Sequence, residues 1–187
     1  MASTSEIKKG ICIDHNHDIY RIVDFLHVKP GKGAAFVRTT LKSVTTGRQL
    51  EQTFPSGHKI DIVRVERRAF QYLYTDESGI NFMNTETYDQ IAMQPDTIDN
   101  AQFLKEGMQV MMLFHSVKDT LLMAELPTSE WYEVTYSEPG VRGDTATNTL
   151  KPAKIETGAE VRVPLFINAG DVVRINTETG EYMERKK

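Results

Sequence analysis

Cysteine is almost absent from this sequence of 187 residues, and Cys12 is its only representative. A single thiol excludes an internal disulfide and a cysteine-based zinc cluster. Cys12 lies between Ile11 and Ile13, so we expect a buried thiol without a redox role. With 40% hydrophobic and 26% charged residues, the chain has the composition of a soluble protein that can fill about one to three small apolar cores.

Long apolar runs are also absent. No run approaches the roughly 20 residues that a membrane-spanning helix needs, and residues 1–10 lack the apolar centre of a secretory signal. We therefore expect a cytoplasmic protein without a membrane partner.

Acidic residues are missing between residues 28 and 50, where basic residues occur at Lys29, Lys32, Arg38, Lys42 and Arg48. Over the whole chain the net charge is -4: residues 1–74 hold 12 basic and 7 acidic residues, residues 75–139 hold 2 and 12, and residues 140–187 hold 8 and 7. The basic segment suits phosphate-rich surroundings, and the acidic middle third would limit indiscriminate binding to phosphate. A simple gradient of surface charge explains the same counts, and both interpretations stay open.

The residues around Lys32 predict a β-hairpin. Apolar residues alternate in 19–28 and again in 34–42, which is the period of paired strands. In the first run Tyr20, Ile22, Leu26 and Val28 share one parity, and in the second Ala35, Val37, Thr39 and Leu41 do.

The turn of this hairpin comprises residues 29–33, Lys-Pro-Gly-Lys-Gly. Pro30 fixes its own φ, and Gly31 and Gly33 accept positive φ, so Lys32 is expected to point away from the hairpin. Taken alone, such a turn is most often an ordinary solvated hairpin end. A nucleotide-binding P-loop is a worse alternative, because Gly33 stands where that motif needs Ser or Thr and a strand follows instead of a helix.

The pattern predicts an all-β chain of three small barrels. We expect an SH3-like (KOW-like) barrel in residues 1–65, an OB-fold barrel in 66–127 and a second OB-fold barrel in 128–187. The predicted strands are 9–14, 19–28, 34–42, 48–54 and 60–66 in the first domain, 70–74, 80–84, 108–115 and 121–126 in the second, and 130–136, 153–156, 161–166, 172–176 and 182–184 in the third. A short helix is predicted at 99–104.

Other candidate sites have weaker support. Residues 14–18, Asp-His-Asn-His-Asp, offer imidazoles and carboxylates, but adjacent turn residues seldom converge on one metal. No serine or cysteine is arranged with a histidine as a nucleophile and base. Phe70, Tyr72 and Tyr74 alternate and could stack bases, although one buried face of a strand is the commoner explanation. We expect no enzymatic activity, no metal and no cofactor.

Several long motifs, in order along the chain, resemble the bacterial elongation factor P family. Residues 28–36 (Val-Lys-Pro-Gly-Lys-Gly-Ala-Ala-Phe) are similar to its tip motif, and residues 138–146 (Glu-Pro-Gly-Val-Arg-Gly-Asp-Thr-Ala) to its third-domain loop. Residues 151–166 resemble its C-terminal signature, and residues 180–185 its closing segment. Motifs that recur at consistent separations are far more specific than any one of them.

This resemblance implies an L-shaped, tRNA-like protein that enters the 70S ribosome between the peptidyl-tRNA and exit sites and contacts both subunits. It implies that the protein relieves stalling at consecutive prolines, and that Lys32 positions the CCA end of the peptidyl-tRNA. A lysine-modifying enzyme is expected to lengthen Lys32 with a group that the sequence does not specify. The implied site residues are Lys29, Pro30, Gly31 and Gly33 around the tip, Arg142, Gly143, Asp144 and Thr145 in the third-domain loop, and Tyr182 and Arg185 near the C-terminus.

Two other functions stay open at this point, and a monomer is expected throughout. One is a general single-strand RNA-binding protein of tandem OB folds, whose affinity would not depend on Lys32. The other is an enzyme that uses residues 14–18 with a metal, which chelation would inactivate.

Overall fold

The computed structural model describes residues 2–139 and 150–186, and strands dominate this part of the chain. The all-β prediction is confirmed. Three antiparallel sheets are present, and the helical segments are short 3-10 turns at Thr4–Glu6, Pro95–Thr97 and Ala101–Phe103. In the described residues no helix is long and apolar enough to span a membrane.

The first sheet has six strands in the order β1-β6-β2-β3-β4-β5. Its strands are β1 (Ala2–Ser3), β2 (Cys12–His15), β3 (Asp18–Val28), β4 (Phe36–Ser43), β5 (Gln49–Pro55) and β6 (Lys59–Ile62). The strands from β2 to β6 were predicted, whereas β1 was not. Ile13, Ile22, Val37, Leu41 and Phe54 form much of its buried core. Cys12 is buried, as predicted.

The alternation predicted for β3 is correct only as far as Ile22. Ile22 pairs with Leu41 but Asp24 pairs with Thr40, so Val23 is an extra residue in a β-bulge. A bulge of one residue moves every following side chain to the other face. Leu26, expected on the same face as Ile22, is therefore 59% exposed, while Phe25 packs against the core.

The second sheet has five strands in the order β11-β10-β7-β8-β9. These are β7 (Val65–Asp76), β8 (Gly79–Asn84), β9 (Gln90–Met93), β10 (Gln109–His115) and β11 (Leu121–Glu125). The sequence pattern missed β9. It also predicted a helix at 99–104 where only the 3-10 turn Ala101–Phe103 forms, because Asn100 takes the left-handed conformation without a capping bond and Leu104 is already extended.

The third sheet has the order β14-β13-β12-β15-β16, and all five of its strands were predicted. They are β12 (Ser129–Ser137), β13 (Leu150–Ile155), β14 (Glu160–Pro164), β15 (Val172–Asn176) and β16 (Tyr182–Arg185). Tyr132, Val134, Ile155, Val163 and Val173 are among the residues that form its buried face.

The chain contacts divide the molecule into two compact units, Met1–Arg68 with Met112–Met123, and Ala69–Met111 with Ala124–Lys187. The first unit contains the Lys32 hairpin and the second contains the third sheet. The three domain limits read from the sequence stay a prediction.

Candidate nucleic-acid interface

The turn between β3 and β4 is an exposed basic element. The two strands pair in register as far as Val28 and Phe36, so residues 29–35 form the connection. Within this connection residues 29–34 are all exposed. Gly33 takes a φ of 112°, which an L side chain rarely adopts, whereas Gly31 does not use a positive φ. The expectation of positive φ is therefore confirmed at Gly33 only.

The Lys32 side chain is exposed at this turn. In residues 2–139 and 150–186 its ammonium group has no hydrogen-bond or ion-pair partner. Lys29 is exposed beside it, and Arg38 is exposed further along β4. A solvated ammonium group without a carboxylate partner has little desolvation penalty and is available to bind a phosphate.

The hairpin is mounted on a packed sheet. Val37 and Leu41 of β4 are buried in the core, and β5 pairs with β4 from Gln49 to Pro55. At the end of the hairpin remote from Lys32, the Asp18 carboxylate accepts hydrogen bonds from Ser43 Oγ at 2.6 Å and Thr45 Oγ1 at 2.8 Å. The exposed turn thus extends from a rigid base, which a positioning role requires.

Asp18 belongs to the cluster at residues 14–18 that offered metal ligands in the sequence. Burial opposes ionisation of this carboxyl, but hydrogen bonds from Ser43, Thr45 and the Ile19 amide outweigh it and lower its pKa. Among the described residues no group of three or more His, Cys, Asp or Glu side chains is placed to hold a metal ion.

The other four residues of this cluster, Asp14 to His17, line a polar pocket with a volume of about 400 Å³ together with Phe54 and His58. His15 contacts the Phe54 ring edge-on at a centroid distance of 5.8 Å, and His58 stacks on the same ring at 5.6 Å. These imidazoles pack around an aromatic side chain, and nothing in their arrangement resembles a catalytic pair.

The two C-terminal candidates lie on one strand, β16. Tyr182 is half-buried and lines a groove of about 710 Å³ together with Phe103 and Arg162. Burial raises the pKa of its phenol. Arg185 contacts Asp171 at 3.7 Å, and its guanidinium lies 5.5 Å from the centroid of the Phe166 ring. The other candidates of this group, Arg142, Gly143, Asp144 and Thr145, lie outside the described residues.

The aromatic alternation in β7 has a mixed outcome. Phe70 is buried and Tyr72 packs at 5.8 Å from Phe82, but a bulge follows Tyr72 and leaves Tyr74 51% exposed. The three side chains therefore do not form one stacking surface.

Sequence reasoning missed the exposed apolar residues of the hairpin. Leu26 was given the same parity as Ile22, although Asp24 occupies a position of that parity between Ile22 and Leu26. A carboxylate at a position that should be buried was the available signal of a change of phase in the strand.

Three family models together match most of the chain. The elongation factor P (EF-P) KOW-like domain matches residues 3–60, the EF-P OB domain matches residues 65–122, and the elongation factor P C-terminal domain matches residues 131–185.

Curated relatives match over the full length. The chain is 55% identical over 187 residues to an elongation factor P from Flavobacterium johnsoniae, with 100% of both chains covered. It is 54% identical over 187 residues to an elongation factor P 1 from Porphyromonas gingivalis, again with 100% of both covered. Among solved structures, a eukaryotic translation initiation factor 5A from Methanococcus jannaschii matches 66% of this chain and 94% of its own, at 22% identity and a TM-score of 0.46.

Proposed function

The chain belongs to the elongation factor P family and is a translation elongation factor; from this premise we propose that it acts on the ribosome to relieve stalling at consecutive prolines. It binds the 70S ribosome between the peptidyl-tRNA and exit sites and stimulates peptide-bond formation there. The observation that carries this proposal is Lys32, an exposed cation on the turn between β3 and β4. It has no partner in the described residues, and residues 28–50 contain no acidic residue.

Lys32 acts by positioning. Proline has a fixed φ and no amide hydrogen, so it is a poor peptidyl donor and acceptor. Holding the CCA end of the peptidyl-tRNA in a productive geometry reduces the entropy that must be lost in the transition state. The ribosome carries out the reaction, so the protein itself is not an enzyme and needs no cofactor.

The remaining residues of the turn shape and deliver this lysine. Pro30 restricts the backbone before Lys32, and Gly33 supplies the positive φ after it. Lys29 adds a second exposed cation for the phosphate backbone. A lysine-modifying enzyme lengthens Lys32, and the absence of a Cβ at Gly31 and Gly33 leaves room for that enzyme to approach.

The third domain contributes contacts remote from the turn. Arg142, Gly143, Asp144 and Thr145 meet the small subunit near the exit-site codon, and Tyr182 and Arg185 support ribosome binding. The protein acts as a monomer in the cytoplasm, with peptidyl-tRNA and both ribosomal subunits as its partners.

The test is translation in a reconstituted system of a reporter with three consecutive prolines, compared with a proline-free reporter. Wild-type protein should rescue the first reporter selectively, and Lys32→Ala should abolish rescue without lowering the unfolding midpoint, because an exposed side chain contributes little to the core. Lys59→Ala removes another exposed lysine of the same sheet and should rescue like the wild type.

A separate comparison tests whether Lys32 is modified. Protein purified from its native source and protein made without a modifying enzyme are compared, with the mass of the peptide containing Lys32 measured in each. Equal rescue by Lys32→Ala and wild type would refute the positioning role. Rescue by neither the native wild type nor any variant would refute the proposed function and favour a general RNA-binding protein.

A further inference from the structure

Four turns of this chain share one backbone geometry. They connect β4 to β5, β8 to β9, β10 to β11 and β15 to β16, and they comprise residues 43–48, 84–89, 115–120 and 176–181. In each turn the amide of the first residue donates to the carbonyl of the sixth, and the amide of the fifth donates to the carbonyl of the first. The fifth residue always has a positive φ, between 50° and 74°.

Tyr88 is the exception among the four residues at this fifth position. The others are Gly47, Asp119 and Gly180. Glycine has no Cβ to oppose a positive φ, and aspartate is a short polar residue that tolerates it. Every other non-glycine residue with a positive φ in the described part of the chain is Asn, Asp or His. A bulky aromatic residue in this conformation is strained, and the equivalent turn of the third sheet avoids the strain with a glycine.

No contact within the described part of the protein offsets this strain. Tyr88 is 69% exposed, and its side chain has no hydrogen bond, ring contact or ion contact there. The turn around it is nevertheless well fixed, because the Asn84 side-chain oxygen accepts hydrogen bonds from the amides of Glu86 at 2.8 Å and Thr87 at 3.1 Å. Strain that folding does not require is a sign of a functional constraint on the residue. The exposed ring is therefore the feature that Tyr88 provides.

The charges beside the ring indicate what it binds. Glu86 and Asp89 are exposed on either side of Tyr88. In the residues that the structure describes, the Glu86 carboxylate has no partner and the Asp89 carboxylate accepts one hydrogen bond, from Thr87 Oγ1 at 2.7 Å. Residues 75–139 hold 12 acidic and 2 basic residues. This environment repels the phosphates of RNA. It attracts a guanidinium or ammonium group, which can lie over a tyrosine ring and pair with a carboxylate.

We propose that Glu86, Tyr88 and Asp89 form a binding site for a cationic segment of a ribosomal protein, with an arginine or lysine over the Tyr88 ring. The inference rests on the proposed function, which brings the chain to the ribosome. It gives the second sheet a protein contact that is separate from the RNA contact of the Lys32 turn. The fixed turn holds the ring in place before binding, so that little conformational entropy is lost when the partner binds.

The first experiment compares stability with binding. Tyr88→Gly removes both the strain and the ring, so its unfolding midpoint should rise by about 2–4 °C. Its dissociation constant for 70S ribosomes that carry peptidyl-tRNA should increase about 3- to 10-fold, and Tyr88→Phe should bind like the wild type. Tyr74→Ala is the matched control, because Tyr74 is an exposed tyrosine of the same sheet without a positive φ, and it should bind like the wild type.

Opposite changes in stability and affinity are not expected of a structural residue. An unchanged dissociation constant for Tyr88→Gly would overturn the site. A fall in its unfolding midpoint would also overturn it, because the ring would then stabilise the fold.

The second experiment uses the sign of the charge to identify the class of partner. Glu86→Gln keeps the shape of the side chain and removes its charge. Against a cationic protein segment this change should weaken ribosome binding about 2- to 5-fold, whereas against RNA it should strengthen binding. Glu77→Gln is the control, because Glu77 is an exposed glutamate in the turn at the opposite end of β8, and its affinity should not change. Unchanged or tighter binding by Glu86→Gln would overturn the proposed partner.

The third experiment identifies the partner by cross-linking. Cys12 is buried and is the only cysteine, so Tyr88→Cys can be labelled selectively with a thiol-directed photo-cross-linker. In the ribosome complex this label should cross-link to a peptide of a ribosomal protein that contains arginine or lysine, and the same label at Tyr74→Cys should not reach that peptide.

The failures of the two proposals are distinguishable. Cross-links from Tyr88→Cys only to RNA, or none in a complex that forms, would overturn the site, while rescue of the three-proline reporter by the wild type would leave the proposed function standing. A wild-type protein that neither binds the ribosome nor rescues the reporter would refute the proposed function and this inference with it.

Discussion

Removal of one hydroxyl group at Tyr132 should destabilise the second unit measurably. Tyr132 is fully buried in β12, and its hydroxyl donates a hydrogen bond to the Phe103 carbonyl oxygen at 2.7 Å. Burial, with smaller contributions from Glu130 and Glu156, raises the pKa of Tyr132, so the hydroxyl remains a donor well into the alkaline range. The bond connects the 3-10 turn Ala101–Phe103 to the third sheet.

Tyr132→Phe isolates this bond because it removes one oxygen and leaves the ring in place. The buried carbonyl of Phe103 loses its donor, and the ammonium of Lys105 remains 5.7 Å from the ring centroid. Loss of a buried hydrogen bond with one partner left behind costs about 1–2 kcal/mol. For a chain of this length the melting temperature should fall by roughly 2–8 °C.

Denaturant unfolding followed by tryptophan fluorescence is the natural assay. Trp131 is the only tryptophan of the chain and is the neighbour of Tyr132, so its emission reports on this part of the sheet. Tyr136→Phe is the control, because Tyr136 lies on the same strand but is 54% exposed. Equal midpoints for wild type and Tyr132→Phe would refute the assignment of this hydrogen bond as a stabilising contact.

Two further predictions concern a glycine and a carboxylate. Gly79→Ala should destabilise the protein by about 2–4 kcal/mol in thermal unfolding, because the new Cβ would lie 2.5 Å from the Met93 carbonyl oxygen at a φ of 128°. Gly10→Ala places a Cβ at a φ of 85° with no atom within 4 Å, so it should destabilise the protein less. Equal destabilisation by the two variants would contradict the clash at Gly79. Asp18→Asn should lower the free energy of unfolding at neutral pH, because the charged carboxylate accepts the Ser43 hydroxyl and its folded pKa lies below 3.8. Stability from a lowered pKa is lost as the pH falls through that value, so the difference from wild type should shrink below about pH 4, and a constant difference would contradict it.

The Lys32 turn could be predicted from the sequence because its signals are local. Pro30 and Gly33 fix the backbone over a few residues, and alternation on both sides identifies the two strands. The residues of β12 and β15 were equally accessible, since both strands alternate and lie close to a glycine or proline. Such features depend on neighbours in the chain and on little else.

Features that depend on distant partners were not accessible. The Asp18 carboxylate accepts bonds from the hydroxyl groups of Ser43 and Thr45, more than twenty residues away, and the local sequence of the cluster at 14–18 does not indicate these partners. The helix predicted at 99–104 does not form, because the segment makes its contacts with Tyr132 and with Glu178, whose carbonyl oxygen accepts a bond from the Asn100 amide at 3.2 Å. In the segment 99–104 these tertiary contacts outweigh a weak local helix propensity.

Val23 divides strand β3 into two segments with different alternation. Up to Ile22 the even-numbered residues lie on the core side of the sheet, and beyond Val23 the odd-numbered residues do. The terminal half can therefore be exchanged between related chains without repacking the barrel only where Phe25 and Val37 keep their places on the core face. Deletion of this single valine would place Asp24 directly after Ile22, so regular alternation would keep Phe25 inward and Leu26 outward and only the local bend of the bulge would be lost.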